Sequence, residues 1–321
     1  LFSTPNPAGG QRRTFATNQN PEGEIQCENA AGKYNIIPKM AQIQDLEKLA
    51  SQVRRDILRM VHAVNSGHPG GSLGCTDFFV ALYGEMMKHN PSAWNMDGKG
   101  EDLFFLSNGH ISPVYYSVLA RNGYFPVSEL STFRKLNTRL QGHPTTHDQL
   151  PGVRIASGSL GQGMSVAIGA ALAKKLNGDD RTVFTLHGDG EIQEGQIWEA
   201  AMYAAANKVD NLICTIDVNG QQIDGPTDKV LPLGDLKAKF TAFGWEVLNI
   251  ENGNDMNQVV SGLKNALTHT RKGKPVVILM KTEMGAGVDF MMGTHKWHGV
   301  APNDEQLAKA LAQLPETVGD Y

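Results

Sequence analysis

Residues 182–219 read TVFTLHGDGEIQEGQIWEAAMYAAANKVDNLICTIDVN, and the reading of this stretch decides the fold. It opens with a short β-branched and aromatic run, Thr182–Leu186, that stops at His187-Gly188-Asp189-Gly190. An alanine-rich run, Gly195–Asn207, follows with the length and the helix formers of an α-helix. A second apolar run, Leu212–Asp217, then ends at Val218-Asn219. Strand, helix and strand in this order set the two strands parallel and side by side. Each strand runs into a loop at its carboxyl end, and each loop holds an oxygen donor, Asp189 in the first and Asn219 thirty residues later.

The same alternation continues outward. Leu103–Leu106, Trp245–Ile250 and Val276–Met280 read as strands; Met164–Leu176, Leu236–Phe243 and Met256–Thr268 read as helices. Ile43, Leu46, Leu49, Val53, Ile57, Met60 and Val64 recur at three- and four-residue steps, so a helix runs from Gln42, with Gly67 as its stop. A last helix is expected near Asp304–Leu314. The pattern predicts an α/β domain over residues 40–321, a mainly parallel sheet with helices on both faces. Such sheets bind ligands beyond the carboxyl ends of their strands. Residues 1–39 are rich in Asn, Pro, Gly, Gln and Thr without periodicity, and are expected to be a disordered extension.

Composition narrows the function. Of 321 residues, 40% are hydrophobic and 19% charged, enough apolar material for a large core. The net charge of −4 argues against a nucleic-acid-binding face, and no apolar run approaches the ~20 residues of a membrane helix. Cys27, Cys75 and Cys214 have no metal-like spacing, which points to a reduced, cytoplasmic protein.

A hard divalent cation, Mg²⁺ or Ca²⁺, takes oxygen ligands and leaves positions for phosphate oxygens. Asp189 and Asn219 on one rim supply such oxygens, while Gly188 and Gly190 let backbone N–H groups approach a diphosphate. Gly-Asp-Gly alone would read as a turn. A strand before each motif, the spacing, and Glu194-Gly195 opening the helix make it a metal–diphosphate site.

Besides His187 before Gly188, four of the ten histidines stand beside glycine: His68, His110, His143 and His298. Imidazoles in glycine turns suit proton transfer to sugar hydroxyls and contact with phosphate. A zinc site is the competing idea, but Pro144 interrupts any helix joining His143 to His147, and His295 and His298 lack a further ligand at usual spacing.

Gly188-Asp189-Gly190 through Asn219 resembles the thiamine-diphosphate signature shared by transketolases, decarboxylases and 2-oxoacid dehydrogenases. Ser66-Gly67-His68-Pro69-Gly70, Ser107-Asn108-Gly109-His110, Gly142-His143-Pro144, Ser157–Gly163 and His295-Lys296-Trp297-His298-Gly299 are similar, in order, to transketolase. The resemblance implies that Asp189, Asn219 and the carbonyl of Gln221 hold the metal. It places His68, His110, Gly158, Leu160, Gly188, Gly190, Glu191, Asn219 and His298 at the cofactor. His68, His143 and His298 would move protons on the sugar, and Glu194 matches a buried acid that links active sites between subunits in this family. The implied activity is two-carbon ketol transfer between sugar phosphates. Alternatives are a 1-deoxyxylulose-5-phosphate synthase-like or 2-oxoacid dehydrogenase-like subunit, or a non-catalytic cofactor-binding subunit.

Full-length transketolases continue into a pyrimidine-binding domain whose glutamate activates the cofactor, whereas this sequence ends at Tyr321. The expectation is therefore an amino-terminal subunit of a split transketolase. A carboxy-terminal transketolase subunit would supply the pyrimidine domain, in an α2β2 heterotetramer.

Overall fold

Five apolar runs become one parallel sheet: β1 (Leu103–Leu106), β2 (Val183–Gly188), β3 (Leu212–Val218), β4 (Glu246–Ile250) and β5 (Val276–Lys281). The strands lie in the order β1-β2-β3-β5-β4, and every neighbouring pair is parallel. The computed structural model describes residues 42–321 and, before them, the backbone of three short strands only. Those strands, Asn18–Gln19, Ile25–Asn29 and Gly32–Ile36, pair antiparallel. The expectation of a disordered extension over 1–39 falls for the most part on residues outside those described.

The sheet is buried on both faces, and the pleat explains how. Phe104, Leu106, Phe184, Leu186 and Ile213 join one core, whereas Leu103, Phe105, Val183, Leu212 and Cys214 join the other. The first core is covered by α1 (Ile43–Ala63), α4 (Ser112–Arg121), α8 (Met256–His269) and α9 (Asp304–Gln313). Two short helices, α2 (Pro69–Gly74) and α3 (Thr76–Ala81), lie between α1 and β1 in the chain. The second core is covered by α5 (Gly163–Leu176), α6 (Gly195–Ala206) and α7 (Leu236–Ala242). Helices thus lie on both faces, as the alternation required.

Helix α1 ends where Asn65 and Gly67 take positive φ values of 47° and 139°. A Cβ on Gly67 would lie 2.8 Å from Val61 Cγ2, so glycine is needed to turn the chain toward His68. Helix α4 escaped the sequence reading because all ten of its residues are buried, which leaves no polar stripe to reveal a period. It is tied to α1 by a buried pair: Arg121 Nη2 and Nε donate to Asp56 at 2.8 and 2.9 Å.

Candidate active site

Register places the two oxygen-bearing loops together. Gly188 of β2 pairs with Asp217 of β3, so the chain leaves both strands at the same level. Asp189 donates its N–H to the carbonyl of Asp217 at 3.1 Å. Its carboxylate accepts from the N–H of Gly190 at 2.7 Å and from that of Gly220, across the rim, at 2.6 Å. Asn219 Nδ2 donates to Asp217 Oδ2 at 2.8 Å, and its Oδ1 accepts from the N–H of Gln221 at 2.9 Å. Asp189, Asn219 and Gln221 line one cavity of about 310 Å³ at the carboxyl ends of the strands.

Electrostatics favour a cation there. Burial, and then the nearby Asp217 carboxylate, push the Asp189 carboxyl up to about 7, against the opposing effect of its N–H partners. A divalent ion beside two crowded acids relieves that repulsion. One carboxylate, one amide oxygen and an adjacent carbonyl form a hard donor set that fits Mg²⁺ or Ca²⁺. Gly190 is required sterically, since a Cβ there would stand 2.9 Å from Gln222 Cβ.

The histidines converge on the same cavity. The His68 ring lies 5.1 Å from that of His110, 6.1 Å from His143 and 5.6 Å from His298, centroid to centroid. His110 and His298 are 5.0 Å apart. His68, His110 and His298 line the cavity with Gly158 and Leu160. His143 is more exposed and packs on Gly158, where a Cβ would meet its ring at 3.2 Å and φ is +150°. Burial, then the neighbouring His298, Arg134 and His143, bring His68 down to about 4. Burial first, then other histidines, holds His110 well below the usual value. Burial also lowers His298, with His295 adding to it, and lowers His143, with Arg134 adding to it. The cluster is neutral at physiological pH and can both donate and accept hydrogen bonds.

Several buried polar atoms here have no protein partner: His68 Nδ1, His298 Nδ1, Asn108 Oδ1 and Gln221 Oε1. Buried polar groups are ordinarily satisfied, so this set marks a cavity shaped for a polar ligand. Glycine-lined backbone, a hard oxygen set and orphaned ring nitrogens together fit a diphosphate-bearing cofactor.

Two acids of this turn differ in burial within the chain. Glu194 stands at the N-terminal end of α6 and is exposed at the cavity lip. The buried acid is Glu191, at 1% exposure. Its carboxylate accepts from the Ser107 hydroxyl, from Gly161 N at 2.8 Å and from Gly188 N at 3.2 Å, and lies 3.5 Å from His187 Nδ1. Burial alone would raise Glu191, but His187 and these donors bring it below the ordinary carboxylate range. Glu191 lines the cavity with its oxygens turned to protein donors, so it binds together the three loops that form the cradle. Sequence reasoning missed Asn108, Asp217 and Met284 as lining residues. Asn108 sat inside a motif already singled out for His110, and the Asp-Val-Asn pattern at the end of β3 could have drawn notice to Asp217.

An α/β domain with a glycine-lined, oxygen-rich rim at the carboxyl ends of its parallel sheet is of the class that binds phosphorylated cofactors. Residues 46–315 match the family described as transketolase, thiamine diphosphate binding domain. The chain belongs to the transketolase family. It is 38% identical over 270 residues to the 6-deoxy-6-sulfo-D-fructose transketolase subunit SqwG of Clostridium sp., covering 84% of this chain and 96% of that one. It is 37% identical over 273 residues to an apulose-4-phosphate transketolase subunit of Actinobacillus succinogenes, covering 85% and 96%. Among solved structures, the transketolase of Campylobacter jejuni superposes with a TM-score of 0.77 at 35% identity, over 85% of this chain and 43% of that chain. That of Leishmania mexicana gives 0.78 at 31%, over 86% and 41%. The chain thus spans about two-fifths of the length of these solved transketolases.

Proposed function

We propose that this chain is the diphosphate-binding subunit of a split transketolase, moving a two-carbon ketol unit between anionic sugars together with a pyrimidine-domain subunit. The observation that carries the reading is the convergence, in one cavity, of the Asp189–Asn219 rim with three neutral histidines, two of which have a buried Nδ1 without a protein partner. The relatives matched over almost their whole length are named as transketolase subunits, which supports a separate partner chain; we take the assembly to be α2β2. Val166, Met202 and Tyr203 expose apolar surface on α5 and α6 such as a subunit contact buries. Sugar phosphates or a sulfonated sugar are the substrates in view, since the relatives' names include both kinds.

When bound, thiamine diphosphate supplies the carbanion and the electron sink for carbon–carbon cleavage. Asp189, Asn219 and the Gln221 carbonyl would hold a Mg²⁺ or Ca²⁺ ion, and Gly188 and Gly190 offer backbone room to the diphosphate. His110 would contact the diphosphate. His68 and His298, neutral and with Nδ1 unpartnered, are placed to take and return protons on sugar hydroxyls, and His143 at the opening to steady the sugar. The buried, free thiols of Cys75 and Cys214 suit a cytoplasmic setting.

The reading is tested by reconstituting the chain with a partner that carries the pyrimidine domain. Ketol transfer is then assayed from xylulose 5-phosphate, a sulfonated ketose and pyruvate, with thiamine diphosphate and Mg²⁺. Transfer from a ketose only in the presence of both chains is expected. Full transfer by this chain alone would overturn the split-enzyme reading, and turnover of pyruvate but no ketose would overturn the transketolase assignment.

A further inference from the structure

We infer that Asp217 is the positioning residue of the metal site, fixing the Asn219 amide so that its oxygen, not its nitrogen, is turned toward the ion. The inference rests on reading the Asp189–Asn219 rim as a metal cradle. A carboxamide is nearly symmetric in shape, yet only its oxygen binds a hard cation. Something must choose between its two orientations.

Asp217 makes that choice. Asn219 Nδ2 donates to Asp217 Oδ2 at 2.8 Å, while Oδ1 accepts from Gln221 N at 2.9 Å. Turning the amide over would face oxygen to a carboxylate oxygen and nitrogen to an N–H, two repulsions in place of two bonds. Asp217 cannot swing aside to accommodate that. It stands one residue before the end of β3, paired with Gly188 of β2 and Met280 of β5, and is 2% exposed. Its other oxygen, Oδ1, accepts from the Thr282 hydroxyl just beyond β5. The buried Cys75 thiol, at the junction of α2 and α3, is a further neighbour of this carboxylate. With one oxygen bonded to Asn219 and the other to Thr282, Asp217 is suited to aim a ligand rather than to be one. Residues that orient metal ligands in this way typically change affinity about 10- to 100-fold when altered.

The test is a residue swap read by binding rather than turnover. In D217N the Thr282 hydroxyl keeps an acceptor, which turns the new –NH₂ toward Asn219. Two –NH₂ groups then oppose each other, and the Asn219 amide turns its nitrogen to the ion. In the double variant D217N/N219D the new amide donates to the new carboxylate, whose second oxygen again faces the ion. Thiamine diphosphate binding to the full-length chain is measured by calorimetry with saturating Mg²⁺ and with EDTA. Thermal unfolding of each ligand-free variant is recorded alongside. The Mg²⁺-dependent affinity is expected to fall about 10- to 100-fold in D217N and to recover most of that loss in the swap. Wild-type affinity in D217N, or a folded swap no tighter than D217N, overturns the assignment. If D217N does not fold, the swap decides alone: near wild-type Mg²⁺-dependent binding supports the inference and a tenfold or greater loss refutes it. No Mg²⁺-dependent binding by the wild-type chain would remove the metal-cradle reading itself, and the inference with it.

Discussion

Replacing His68 with glutamine should make the protein less sensitive to acid. In the folded, ligand-free chain the His68 imidazole is pushed down to about 4, by burial first and then by His298, Arg134 and His143. His110, centred 5.1 Å away, adds a further ring to the group. In the unfolded chain a histidine titrates near 6.5. The folded value is depressed, so the unfolded state takes the proton first as pH falls. Stability is full above about pH 6.5 and is lost progressively as pH drops toward 4. At pH 5 the two values correspond to about 2 kcal/mol of lost stability. His68 is only partly buried, so solvent screening reduces this to roughly 1 kcal/mol.

Glutamine fills part of the same space, keeps a polar end and does not titrate, so H68Q should be spared that loss. Thermal unfolding of wild type and variant at pH 7.5 and pH 5.0 gives a difference of differences. Contributions from the other histidines appear in both proteins and largely cancel. For a chain of this size, roughly 1 kcal/mol corresponds to about 1.5 °C. Wild type should therefore lose about that much more melting temperature than H68Q between the two pH values. Equal losses would show that His68 is not held neutral by its surroundings, and the proton-accepting role proposed for it would lose its physical basis.

Other perturbations reach different parts of the cradle. Asp189→Ala removes the one charged ligand in the proposed set and should abolish Mg²⁺-dependent thiamine diphosphate uptake, and calorimetry showing unchanged affinity would contradict the metal assignment. Glu191→Ala leaves the Ser107 hydroxyl and the N–H groups of Gly161 and Gly188 without their acceptor. It should cost about 3 kcal/mol in denaturant unfolding, and a loss below about 1 kcal/mol would mean that water replaces the carboxylate. Gly163→Ala would drive a Cβ into Ser107, backbone included, and should lower the melting temperature together with cofactor affinity. His298→Ala in the reconstituted enzyme should reduce turnover about 100-fold or more, whereas unaltered turnover would remove it from proton transfer.

How much of this was legible beforehand follows from which forces are local. β2 and β3 showed in the sequence because β-branched runs ended at glycine or at a polar turn, and the structure closes them at Gly188 and Val218, one or two residues beyond the expected ends. Helix α4 did not show, since a helix buried all round carries no polar stripe. The site divides along the same line. Asp189 and Asn219 could be placed on one rim because adjacent parallel strands carry their loops to one edge, a consequence of register alone. Which of Glu191 and Glu194 would be buried within the chain itself did not show, because both lie in one turn. The short helical turn Gly190–Gln193 folds the first back under the loops, whereas the second caps α6 and faces outward. The histidines fall between these cases. Neighbouring glycines marked His68, His110, His143 and His298 as loop residues, but nothing in their spacing over 230 positions said that their rings would meet. That meeting comes from the sheet, which returns successive loops to one edge. It is also what gives the cluster its chemistry, because only rings that shield one another from water are held neutral at the pH where sugar hydroxyls must exchange protons.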